Sequence, residues 1–300
     1  MVALPPVSAV IPNRDGAHLL RRTLPPLLRE LPAPGHEVLV VDDASEDDSV
    51  AVLAREFPNV RVVALEANVG FGEACNQGLR AATHETVLLL NSDMEVSVGS
   101  LERLNQHLAS PDVFAVGPQY VSDRPGERRA FADEGPVITH IGAPAGGGLL
   151  RRGVFLELGG FDPLYYPFYW EDMDLGWAAW RSGYRVVHDL RVEFRHLESA
   201  TIKRLYPAQY VARVRARNRC LFGWKWLEDR GLVRLHRRVV MRRTLGDLAR
   251  RHDAASLLGL WDALRMRPRA MAARPTTTAQ RTDVQILTAA AVDPEMLFGI

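Results

Sequence analysis

The sequence predicts an α/β chain built on a doubly wound, mostly parallel sheet with a C-terminal helical extension. Three observations predict it. Short apolar runs suited to strands buried on both faces alternate with amphipathic helical stretches. Several of those runs end abruptly in Asn and Asp, as strands do where an open sheet meets a ligand. After residue 202 the alternation stops and arginine-rich helical pattern takes over.

In order, Val7-Ser8-Ala9-Val10-Ile11 reads as a first strand running into Pro12-Asn13-Arg14-Asp15-Gly16. A Leu/Arg helix from His18 to Leu31 is closed by Pro32 and Pro34. Val38 to Val41 is a strand ending in Asp42-Asp43, Asp47 to Phe57 a helix and Val60 to Val63 a strand. Residues 71 to 84 form a helix leading into Thr86-Val87-Leu88-Leu89-Leu90, which delivers Asn91-Ser92-Asp93, with another helix starting near Val98. One more strand, Val113 to Val116, precedes a polar stretch from Ser122 to Pro136 read as a mobile excursion. Then come Gly146-Gly147-Gly148 before an apolar strand, the turn Gly159-Gly160-Phe161-Asp162, and a helix from Glu171 to about Ser182. Strands at Tyr184–Val187 and Val192–Arg195 close the first region.

The near-neutral total charge of +1 hides an asymmetry. Residues 1–202 carry 17 Lys and Arg against 28 Asp and Glu, a net of -11; residues 203–274 carry 19 against 5, a net of +14; the remaining 26 residues are at -2. Three units are expected: 1–202 for chemistry, 203–274 as a basic helical extension, and 275–300 as a flexible tail or partner-docking segment. Cys75 and Cys220 lack metal-ligand spacing, so a reducing compartment is the default. Met1 to Pro6 begins no basic-then-apolar leader, and no run of about 18 apolar residues occurs, so a cytoplasmic protein is expected, either soluble or peripheral at the inner face of a membrane.

Right-handed crossovers would gather Asn13-Arg14-Asp15, Asp42-Asp43 and Asn91-Ser92-Asp93 on one rim. Each alone reads as a solvated turn or helix cap. Together they line a cleft with acids, a costly arrangement unless a cation or hydrogen-bonded ligand sits among them. Gly70 and Gly72, after Asn68, let backbone approach a ligand, though taken alone they read first as a helix start with a flexible cap. Gly147 would admit a sugar against bare backbone. Trp170, at the end of Tyr165-Tyr166-Pro167-Phe168-Tyr169-Trp170, suits stacking on an apolar sugar face, although aromatic runs are more often core. Glu171, Asp172 and Asp174 complement the dipole of their helix, or one of them serves as a general base. A lone His196 is ordinarily structural.

The order of Val10-Ile11-Pro12-Asn13, Val41-Asp42-Asp43-Ala44-Ser45, Asn68-Val69-Gly70-Phe71-Gly72 with Asn76, Leu90-Asn91-Ser92-Asp93, Gly159-Gly160-Phe161-Asp162 and Trp170-Glu171-Asp172-Met173-Asp174-Leu175 resembles family 2 glycosyltransferases of the GT-A fold, which are Rossmann-like. The resemblance covers residues 7–200 firmly and extends more loosely to about 270. It implies that Asp43, with Pro12 and Asn13, meets the base and ribose of a dTDP- or UDP-linked donor. It implies that Asp93 holds Mn²⁺ or Mg²⁺ against the diphosphate, with Asn91 in place of the motif's first Asp and His196 nearby, and that Asp172 is the catalytic base. The Gln-x-x-Arg-Trp segment of processive synthases is absent, so transfer of a single sugar is expected. Arg217-Asn218-Arg219 resembles a segment of bacterial rhamnosyltransferase-like members, so a deoxyhexose such as rhamnose is the favoured cargo and a glycan or lipid-linked acceptor the partner. No nucleic acid is expected, and pairing as a homodimer stays open.

The arginines at 234, 237, 238, 242, 243, 250 and 251 are interleaved with apolar residues. They read either as a solvated face paired to the acidic region or as a surface for an anionic membrane or lipid diphosphate. The competing function is a non-catalytic nucleic-acid or membrane-surface binding module using these helices.

Overall fold

Alternate side chains of the buried runs part to opposite faces of one sheet. In the computed structural model, which describes residues 4–32, 34–122, 135–197, 206–251, 253–276 and 278–299, strand β1 (Val7–Asn13) sends Ala9 and Ile11 toward Leu20, Leu24 and Leu27 of helix α1 (Ala17–Glu30). Val10 joins a second core with Leu79 of α3 (Phe71–Ala81). β4 (Thr86–Leu90) divides likewise, Leu88 and Leu90 to one side and Val87 and Leu89 to the other. Apolar residues at every position are what a central strand with both faces covered requires.

β2 (Glu37–Asp42) and β3 (Arg61–Ala64), with α2 (Ser49–Glu56) between them, complete a parallel set in the order β3-β2-β1-β4. β5 (Met94–Glu95) and α4 (Ser100–Asn105) follow. β6 (Val113–Ser122) runs six residues beyond its expected end. β7 (Val137–Thr139), β8 (Gly147–Arg151) and β9 (Arg185–His196) complete the sheet, with α5 (Arg152–Glu157) and α6 (Glu171–Arg181) between the last two. The path continues β4-β8-β6-β9-β5, and β8 pairs antiparallel with both its neighbours.

The expected α/β class with a helical C-terminal region is observed. Its second half is mixed rather than parallel, because β8 runs back against β4. The two strands expected near residues 184 and 195 are one, β9, whose register against β6 shifts between Pro118 and Gln119. Its polar interruption is satisfied locally: the buried Asp189 carboxylate accepts from Arg191 Nε and Nη2 and lies 2.9 Å from His107 Nε2. Most of the excursion expected at 122–136 and the 202/203 boundary lie outside the described residues.

Helices α7 (Ala208–Trp226), α8 (Arg230–Arg251) and α9 (Ala255–Ala272) form the extension. They share a core with α6: Trp177 and Trp180 pack with Phe222, Trp226, Val239 and Ala263. Where the sequence suggests a flexible tail, α10 (Asp283–Ala289) and α11 (Pro294–Gly299) insert Ile286, Leu287, Leu297 and Phe298 into that same core. The Thr282/Gln285 capping box fixes the start of α10. Among the described residues no helix is long and apolar enough to cross a membrane.

Candidate active site

The strand order reverses at β1, with β2 on one side and β4 on the other, and open α/β sheets bind ligands beyond strand ends at such a point. A cleft of about 370 Å³ lies there. Pro12, Asn13 and Arg14 reach it from the end of β1, Asp43 from just past β2, and Asn91, Ser92 and Asp93 from just past β4. Glu171 and Asp172 close another wall from the first turn of α6. β5 pairs Met94 with His196 of β9, and Leu197 N donates to Asp93 O at 2.9 Å, which brings the imidazole to the Asp93 carboxylate. His196 Nε2 lies 3.1 Å from Asp93 Oδ2.

Four wall atoms are buried with no hydrogen-bond partner among the described residues: Asn13 Oδ1, Asn91 Oδ1, Asp93 Oδ1 and Glu171 Oε2. Buried polar atoms are nearly always satisfied, so these four are places where water, a cation or a bound ligand completes the bonding. Among the described residues no three His, Cys, Asp or Glu groups converge to enclose a metal by themselves. The donor types present, a carboxylate oxygen, an amide oxygen and an imidazole, are nevertheless ones a divalent cation accepts, so Asp93, Asn91 and His196 would be the residues to hold it.

The acids differ in environment. Burial first, then repulsion from Asp172, raises the Glu171 pKa, and burial raises that of Asp172 despite the hydrogen bond its Oδ1 accepts from Met173 N at 2.8 Å. Burial also lifts Asp43, opposed by N–H donors from Val69 at 2.7 Å and Gly70 at 3.1 Å. Asp43 therefore shapes the Asn68–Gly70 wall as well as facing the cleft. Gly70 is required there: its φ is +82°, and a Cβ would sit 2.8 Å from the Tyr166 ring.

Four expected site residues stand elsewhere. Asp42 lies behind the wall, accepting from Asn13 Nδ2 at 3.0 Å, Ser45 N at 2.9 Å and Ser45 Oγ at 2.7 Å. Asn76 is buried and tied to the backbone of Phe161 by two 2.8 Å bonds, so it fastens α3 to the next layer. Gly147 is a β8 residue against Phe194 and Leu90, and its neighbour Gly146 lines the cleft instead. Trp170 turns into the C-terminal core, its ring 5.2 Å from that of Phe222, while Phe168 and Tyr169 face the cleft.

Arg14 and Tyr206 are among the cleft residues that the sequence does not mark as site residues. Arg14 donates from Nη1 to Asp43 O at 2.7 Å and to Ala44 O, holding the β2 loop. Tyr206 comes from beyond the expected 202/203 boundary and stacks on Tyr210, 5.5 Å apart with planes 22° from parallel. Arg14 sat within a noted polar cluster, whereas no local pattern marks Tyr206.

The family model described as "Glycosyl transferase family 2" matches residues 8–157. A pre-mycofactocin glycosyltransferase of Mycobacterium tuberculosis is 31% identical over 217 residues, covering 63% of this chain and 44% of the relative, so the chain matches less than half of that protein's length. An N-acetylglucosaminyl-diphospho-decaprenol L-rhamnosyltransferase of the same species is 25% identical over 219 residues, covering 58% of this chain and 70% of the relative. Two solved structures share the fold. GalNAc-T7 with UDP, GalNAc and Mn²⁺ superposes with a TM-score of 0.65 at 15% identity over 91% of this chain and 57% of that one. TarS 1-349 of S. aureus in complex with UDP-GlcNAc gives 0.61 at 17% identity over 90% and 84%.

Proposed function

Since this chain belongs to glycosyl transferase family 2, we propose that it transfers a single sugar, with inversion, from a nucleoside-diphosphate donor to a hydroxyl of a glycan or lipid-linked acceptor. The observation that carries the reading is the meeting, in one cleft, of the Asp93/His196/Asn91 group, in which Asp93 Oδ1 and Asn91 Oδ1 lack partners among the described residues, and the buried Glu171 beside the half-buried Asp172. The first suits a diphosphate leaving group and the second a proton acceptor.

In this reading Asp43, Pro12 and Asn13 receive the base and ribose, with Asn68, Gly70 and Arg14 forming that wall. Asp93 and His196, with Asn91, would hold Mn²⁺ or Mg²⁺, which supplies charge neutralisation for the departing diphosphate. Asp172 accepts the acceptor's proton as that oxygen attacks, and its raised pKa makes it a better base than an exposed carboxylate. Glu171 beside it binds its own proton more tightly, its pKa raised to about 8 by burial and by the Asp172 charge. A deoxyhexose such as rhamnose, dTDP- or UDP-linked, is the donor sugar we favour, supported by the rhamnosyltransferase relative and by Arg217-Asn218-Arg219.

Thermal melts with nucleoside diphosphates, with and without Mn²⁺, followed by a transfer and hydrolysis screen of nucleotide sugars, test the proposal. Nucleotide and metal together should raise the Tm more than the sum of either alone, and Asp93→Asn should remove the metal-dependent part. A melt indifferent to every nucleoside diphosphate in both conditions would overturn the reading.

A further inference from the structure

The extension carries an exposed apolar surface that the cleft does not use. Helices α8 and α9 meet at a tight connection, where Ser256 Oγ donates to Asp247 Oδ2 at 2.5 Å and Asp253 N to Asp247 O at 3.1 Å. On the α8 side of that tip Leu245 and Leu248 are exposed. On the α9 side Leu257, Leu258, Trp261 and Leu264 are exposed at helical spacing, and Trp261 leaves 59% of its surface to solvent. A tryptophan and five leucines bared on two consecutive helices are more than the scattered apolar residues of an ordinary surface.

The charges around this patch select its partner. Arg234, Arg237 and Arg238 share by helical spacing the α8 face of Leu245 and Leu248, two or more turns toward the start of that helix, and Arg265 adjoins Leu264 on α9; all four are exposed, and no ion pair engages them among the described residues. The three acids of residues 230–274 are already committed: Asp247 to Ser256, Asp253 to the Ala255 N–H at 2.8 Å, and Asp262 to Arg213 at 2.5 and 2.8 Å. Isologous pairing of two copies would set this cationic face against itself, with no free carboxylate to offset the repulsion. An anionic bilayer meets both features, taking the leucines and the indole at the headgroup boundary and the guanidinium groups on the phosphates.

The patch is also one helix from the cleft rim. α9 lies so close to α7 that a Cβ on Gly259 would come within 2.4 Å of Arg213 O. Arg213 holds Asp262, the neighbour of Trp261, and one turn earlier on α7 Tyr210 stacks on Tyr206 of the cleft.

We propose that the tip of the α8–α9 hairpin, through Leu245, Leu248, Leu257, Leu258, Trp261 and Leu264 with the surrounding arginines, docks this enzyme on an anionic membrane surface. This deepens the acceptor part of the proposed function, on which it rests only in favouring a lipid-linked acceptor over a free glycan.

Sedimentation of the full chain with phosphatidylcholine vesicles, with and without about one-third phosphatidylglycerol, tests it. Binding should require the anionic lipid and weaken as salt rises. The Leu257→Ser/Trp261→Ser variant should partition at least ten-fold more weakly, and Arg234→Glu/Arg238→Glu should lose the salt-sensitive part. Tryptophan fluorescence quenched by brominated lipid in the parent, and much less in Trp261→Phe, would place that indole in the bilayer. Because the substituted side chains are exposed, an unchanged melt and an unchanged shift by nucleoside diphosphate should accompany the loss. Failure of the donor reading would show in that shift alone, leaving vesicle binding intact. Absent partition of the parent, partition unaltered in the Leu257/Trp261 variant, or a doubled solution mass that the same variant abolishes would overturn the proposal.

Discussion

Glu171 and Asp172 stand side by side in the first turn of α6, where the helix dipole favours negative charge, yet burial outweighs that benefit and both bind their protons more tightly than exposed carboxyls. A carboxyl whose folded-state pKa is raised contributes stability that is full below its unfolded value and is lost as pH rises through the folded one. The ligand-free protein is therefore expected to lose stability from this pair as pH climbs above the ordinary carboxylate range. Glu171→Gln should melt close to the parent at about pH 5 and above it at about pH 8.5; a gap that stays constant across that range would contradict the assignment. Asp172→Asn separates chemistry from binding. It should cut transfer by roughly 10²- to 10⁴-fold, the usual weight of a general base, while the shift by nucleoside diphosphate survives. Wild-type transfer in that variant would strip Asp172 of the role.

The element that aims these acids is the loop before α6, and its geometry is set from a distant helix. Tyr169 and Trp170 both adopt left-handed backbone, with φ of 69° and 79°, a conformation that bulky residues take only when surroundings enforce it. Asn218 of α7, fully buried, supplies that enforcement: its Nδ2 donates to Tyr165 O at 3.0 Å, Phe168 O at 3.0 Å and Tyr169 O at 2.8 Å. Asn218→Ala would leave these carbonyls short of donors and should cost about 2–3 kcal/mol in a denaturant melt. It should also lower kcat measured at saturating donor, since the loop runs directly into the first turn of α6, which carries Asp172. The strands at the cleft were legible in the sequence because alternate burial on two faces leaves a local apolar signature, and their polar ends followed. This loop was not legible in the same way. The aromatic run 165–170 divides between cleft and core by backbone twist that Asn218 and Arg217, some fifty residues later, hold through its carbonyls; that is why Trp170 reads as a stacking residue and instead packs on Phe222. β7 was missed for a related reason, being three residues paired only with β9.

At the scale of the molecule, the charge division suggests an acidic catalytic body and a basic appendage, but the physical joint between them is apolar. α6 presents Trp177 and Trp180 to α7 and to the last helices, and ion pairs border that core: Lys225 with Asp162 at 2.7 Å and Asp174 at 2.8 Å, and Arg181 with Glu228 at 3.2 Å. Composition could not reveal this, since a tail opening with Pro275-Thr276-Thr277-Thr278 looks unstructured until its four apolar anchors are seen to fill a gap around α6 and α8. Ile286 and Phe298 are wholly buried, and Leu287 and Leu297 nearly so. Each such side chain contributes about 1.5–3 kcal/mol by burial, so the four together are comparable with the whole net stability of a typical domain, roughly 5–15 kcal/mol. Removing residues 279–300 should therefore leave a chain that is insoluble or melts far below the parent, and Phe298→Ala alone should cost about 3–5 kcal/mol. Of α6, Glu171 and Asp172 line the cleft while Trp177 and Trp180 join the core of these anchors, so Phe298→Ala that still folds should keep the nucleoside-diphosphate shift. A truncated chain melting with the parent would mean that the last two helices contribute nothing to the fold.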